Sequence, residues 1–235
     1  MSTPIPITDS GLLRLMAWLS PSFPVGAYAY SHGAEFAVES GHLLDRKSAL
    51  SWISFVLESG TGRVDADLFI AAYLAADENN TANFLETANR ADALKGTAEL
   101  GLESRAQGQA FLDTVLMVWP DQNLKTFALA LAEQNIQPSY STAVAAASAF
   151  AGVGLQASLG AYLHAFVANI TSAIVRLVPL GQTDGQRIIA ACEPVIERAL
   201  RDALERDPND MGSAAFGVDL MSMKHETQYS RLFRS

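Results

Sequence analysis

Imidazoles and carboxylates are the side chains that could hold a metal or move a proton, and their spacing is suggestive at a few places in this sequence. His32, Glu35 and Glu39 recur at helical intervals and would share one face. Glu39 and His42 repeat the Glu-x-x-His spacing of helical di-metal sites, but those sites need a second copy on a facing helix and further carboxylates. The sequence has no second copy, and Gly41 breaks the helix between the two residues, so a solvated polar face or a local hydrogen bond to His32 is expected. Asp65-x-Asp67 is too sparse for the clustered aspartates of a magnesium-dependent enzyme and reads as a solvated helix start. His164 lies in a charge-free stretch and reads as a core histidine, and the lone Cys192 sits on an apolar stripe as core rather than nucleophile. There is no phosphate-binding glycine loop, no G-x-S-x-G, no H-E-x-x-H and no paired-cysteine zinc spacing. No catalytic residue, metal ligand or cofactor is assigned.

The signal that remains is one of contact between proteins. From His225 to Ser235 the chain mixes aromatic, basic and polar side chains, and arginine beside tyrosine and phenylalanine suits an interface anchor. Lys224, Arg231 and Arg234 against Glu226 alone give this end a positive charge, although 16 basic and 25 acidic residues leave the whole chain at −9. A field of that sign repels a phosphate backbone and argues against nucleic acid.

The elements that must position these residues read as helices. Apolar residues Leu12, Leu13, Leu15, Met16 and Leu19 follow helical spacing behind Ser10 as a cap, and the helix ends before Pro21. Ser20 to Gly26, with two prolines, is a shaped connector, and a helix is expected over Ala27 to Ser40 with Gly41 ending it. Asp45 can cap a helix whose face is Ala49, Trp52, Ile53, Val56 and Leu57, and Leu68, Phe69, Ala72, Tyr73 and Ala76 repeat the pattern beyond Gly60 and Gly62. Helices are expected at Thr81 to Leu94, Ala98 to Val118 (weakened by Gly101 and Gly108) and Asn123 to Glu133 behind Asp121. From Ser141 onward small residues favour close packing, with a break at Gly152 and Gly154. The stripe from Ile188 to Ala203 is clean, Pro194 should kink it or start a new helix, and periodicity fades beyond Asp207-Pro208.

With 49% hydrophobic and 17% charged residues the chain can bury a large core, and no period-two alternation argues for strands. The expected fold is all-α, a single-domain bundle of roughly ten helices spanning residues 1–207, followed by an irregular docking tail over 208–235. Gln134 to Val175 lacks any charged residue, yet Gln156, Ser158, His164, Asn169, Thr171 and Ser172 interrupt a membrane span. Helices at the centre of a bundle or in a dimer interface are expected there. A single cysteine and an N-terminus without a secretory pattern point to the cytoplasm.

Three ordered segments carry a resemblance. The ending from His225 through Ser235, H-E-T-Q-Y-S-R-L-F-R-S, resembles the terminal signature of bacterial UreF proteins. Ser20 to Gly33 is similar to that family's S-P-x-x-P-x-G-x-x-x-Y-S-x-G entrance, and Arg176 to Gln182 to its K-L-V-P-L-G-Q motif, with arginine replacing the usual lysine. The family segment R-E-T-x-E-L-R is present as Lys95 to Gly101, where Gly96 and Gly101 replace charged residues, so any contact of those charges is not carried over.

The resemblance implies an all-helical, dimer-forming accessory protein without catalysis of its own. It would bridge the UreD (UreH) protein and the GTPase UreG, position or regulate GTP hydrolysis, and help insert nickel into apo-urease, the ion passing through the complex as cargo with no stable site here. The partner-binding residues it implies are Pro24, Gly26, Tyr30, Ser31, Arg176, Pro179, Leu180, Gly181 and Gln182, with His225, Glu226, Gln228, Tyr229, Arg231, Leu232 and Phe233 from the tail. Two alternatives stay open: a GTPase-activating protein supplying Arg176 or Arg231 as an arginine finger, or an α-helical enzyme with an apolar pocket.

Overall fold

The computed structural model describes residues 9–235. Among the described residues the regular elements are all helical: α1 Asp9–Trp18, a 3-10 turn Ala27–Ala29, α2 Ala34–Glu39, α3 Arg46–Ser59, α4 Thr61–Asp77, α5 Thr81–Ala93, α6 Ala98–Val118, α7 Gln122–Glu133, α8 Tyr140–Phe150, α9 Leu155–Leu177, α10 Gln182–Glu205 and α11 Phe216–His225. The all-α expectation holds. The chain falls into two compact units, one built from the residues up to Gly26, Asp65–Leu94 and Ser104–Tyr162, the other from Ala27–Val64, Lys95–Glu103 and Leu163–Ser235.

In the first unit α5, α7 and α8 pack on one another. Every residue from Ser141 to Ser148 in α8 is buried, as expected of a helix that is apolar or small on all sides. Ser139 caps it, accepting from the Thr142 amide at 3.3 Å. The close approach is set by Gly108 of α6, where a Cβ would lie 2.2 Å from the Pro138 carbonyl oxygen. This glycine is therefore a packing requirement and not merely the weak point that helix propensity suggests. Aromatic rings fill the rest: Phe127 lies 4.6 Å from Phe84 and 5.1 Å from Phe150, while Trp18 meets Phe111 and Trp119 edge-on, each at 5.9 Å. Asp65 and Asp67 are not a solvated helix start. Both are buried in α4, and Asp65 accepts a hydrogen bond of 3.0 Å from the Tyr162 hydroxyl.

In the second unit α3 and α10 pack face to face. Asp45 caps α3 as expected, accepting from the Ser48 amide at 2.8 Å within a capping box. The buried stripe of Ala49, Ile53, Val56 and Leu57 meets Ile188, Cys192, Val195, Ile196 and Ala199. Burial pushes the Cys192 thiol up to about 11, which makes it inert. Pro194 does not start a new helix: α10 runs through it, with Pro194 and Ala190 on the exposed side, where the freed carbonyl can turn to water.

Four local expectations change. Ser10 lies inside α1 rather than capping it. The helix expected over Ala27 to Ser40 is interrupted, because His32 and Gly33 take positive φ angles of 59° and 77°. The stretch read as irregular beyond Pro208 contains α11, packed on α2. His164 is exposed, not core. Helix α9 is the one described element long and apolar enough to cross a membrane, and 56% of its most apolar window is buried inside the protein.

Substituting Gly108→Ala should lower unfolding free energy by about 2 kcal/mol or more, since rigid backbone must give way to the new methyl group. Denaturant titration monitored by circular dichroism measures it.

Candidate functional site

The residues expected to bind partners converge largely in the second unit, where the C-terminal segment folds back along Tyr28 to Glu39. The pairing begins in the backbone. Arg234 N donates to Ala29 O at 2.8 Å, and Ser31 N donates to Ser235 O at 2.7 Å. The Ser31 hydroxyl donates to the same Ser235 oxygen. For this the chain must turn sharply before α2, which the left-handed His32-Gly33 pair accomplishes. Gly33 also lets α11 approach: a Cβ there would sit 3.0 Å from Ser222 N.

Four glutamates of α2 and α6 then hold the segment. Glu35 accepts from Leu232 N at 2.6 Å and Phe233 N at 2.9 Å, and lies 3.1 Å from the His225 ring Nε2. Glu99 faces the other side of the same ring, 2.7 Å from His225 Nδ1, and takes Arg231 Nη1 at 2.8 Å. The fully buried His225 ring therefore lies between two carboxylates, one at each nitrogen. Glu103 accepts from the Ser235 hydroxyl at 2.8 Å and lies 3.3 Å from His32 Nδ1. Glu39 accepts from the Gln228 side-chain amide, and Glu226 accepts from the Ala98 amide at the start of α6 at 3.2 Å. Glu35, read as part of a solvated face, is thus the inner wall of a clasp, while Glu39 stays exposed as expected. His42, beyond Gly41, bonds the Ser40 hydroxyl at 2.9 Å.

Arg176 closes the arrangement from the end of α9. Its guanidinium lies 4.4 Å from the centre of the Phe233 ring, and Nη2 donates to Tyr28 O at 2.7 Å. Sequence spacing had no means of joining Arg176 to Phe233, or Glu99 and Glu103 to the tail. The short Lys95–Glu103 segment carries both glutamates, and Gly96 leaves room for Asp219, whose carboxylate oxygen would sit 2.9 Å from an added Cβ. Burial raises the Asp219 pKa, against the pull of His32.

Other expected residues are placed differently. Pro24, Pro179, Gly181 and Gln182 are exposed, Leu180 and Gly26 are half-buried, and Tyr30 and Ser31 are buried. Around the clasp Tyr229, Tyr28 and Leu232 project to solvent at 105%, 74% and 66% of full exposure, while Phe233 is buried beneath them. The anchors expected of the tail therefore divide between a buried pair, His225 and Phe233, the exposed but paired Arg231, and an outward set, Tyr229 and Leu232. Neither arginine is idle, since Arg231 is taken by Glu99 and Arg176 by Tyr28 and Phe233.

The Glu103 carboxyl shows the electrostatic balance. Burial opposes its ionisation, but the charge and hydrogen bond of His32, the Ser235 hydroxyl and Lys95 prevail and hold it below the ordinary 4.5. A depressed native pKa contributes stability above the unfolded value that is lost as pH falls through the folded one. The difference in unfolding free energy between the parent protein and Glu103→Gln should therefore be constant above 4.5 and shrink as the pH drops below it. Denaturant titrations across that range give the measurement, and a difference that grows on acidification would oppose it.

A family model described as UreF matches residues 43–193. A urease accessory protein UreF from Granulibacter bethesdensis is 44% identical over 227 residues, covering 97% of this chain and 95% of its own. One from Rhodopseudomonas palustris (strain BisB5) is 46% identical over 97% of this chain and 92% of its own, and one from Bradyrhizobium diazoefficiens is 40% identical over 96% and 92%. The helical architecture, the folded-back C-terminal signature and likeness at this level over almost the whole length have one reading: the chain belongs to the UreF family of urease accessory proteins.

Proposed function

We propose that this chain is a non-catalytic chaperone of nickel insertion into apo-urease, a cytoplasmic scaffold that bridges a UreD (UreH) protein and the GTPase UreG. Nickel is cargo of the assembly and holds no stable place on this chain. The observation that carries the reading is the clasp: eleven C-terminal residues are fixed by buried charge, and the aromatic and apolar side chains of Tyr28, Tyr229 and Leu232 are left facing outward. Rigid exposed aromatics on an ordered backbone lose little entropy on docking and are the usual anchors of an interface. Pro179 to Gln182, at the end of α9 beside Arg176, extends the presented surface.

In this reading Arg176 and Arg231 shape the surface instead of reaching a transferring phosphoryl group, because both guanidiniums are spent on the clasp. The residues from Asp207 onward, read from sequence as a docking tail, act by ordering the face that a partner meets. A second copy of the chain completes the scaffold as a homodimer.

The test is co-purification with UreD and UreG partners, comparing the full chain with Tyr229→Ser/Leu232→Ser and with Arg176→Ala. Loss of one partner by at least ten-fold in the double variant, with the other retained, is expected. Arg176→Ala should weaken the same partner less, through loosening of Phe233. Undiminished capture of both partners and full urease activation by both variants would overturn the proposal.

A further inference from the structure

We draw no further inference here: the strongest candidate, the outward face of α11, where Phe216, Leu220 and Met223 stand exposed at helical spacing away from the buried Val218, Ser222 and His225, belongs to the C-terminal surface already described, and nothing in the structure shows what covers it.

Discussion

The second unit depends on a single carboxylate. Glu35 gathers two consecutive backbone amides, from Leu232 and Phe233, and one edge of the buried His225 ring. A buried carboxylate is costly unless its lone pairs are met, and two amides left bare in the interior would be costly too. Each half of the contact is therefore tolerable only because the other is present. Glu99 and Arg231 extend the network, so that His225 lies between two carboxylates and one of those is shared with the Arg231 guanidinium. An apolar contact of equal area could slide; a carboxylate that must meet two particular amides fixes the register of the segment.

That constraint explains several features that are odd in isolation. His32 adopts a left-handed backbone conformation, uncommon for a residue with a side chain, because Ser31 must turn both its amide and its hydroxyl toward Ser235. Gly33 follows because α11 passes too near for a Cβ. Arg176 stands over Phe233 because the ring, held by the Glu35 contact to its amide, needs a lid at the end of α9. The outward projection of Tyr229 and Leu232 is the by-product of drawing their neighbours inward, and a surface used by partners can be built in this way without any active-site chemistry.

Much of the fold was legible in the sequence, and for local reasons. The limits of α6, the Asp45 and Asp121 caps and the buried stripe of α10 follow from periodicity and capping, which act within a few residues. The failures share a different cause. Glu35 read as solvated and Asp65 as part of a solvated helix start because their partners, His225 and Tyr162, are distant in the chain. Helix α11 escaped because its buried residues, Val218, Ser222 and His225, include two polar ones that become core only against α2 and Thr97. The motifs near Ser31, Arg176 and His225 were each visible, but nothing in their spacing says that they meet.

The central claim is that the C-terminal segment is a fixed part of the second unit in the isolated chain. Backbone nitrogen-15 relaxation at Leu232, Phe233 and Arg234, compared with α2, tests it most directly. Order parameters matching those of α2, about 0.85 as for rigid backbone, are predicted. Values below about 0.6, typical of a flexible chain, would contradict the account.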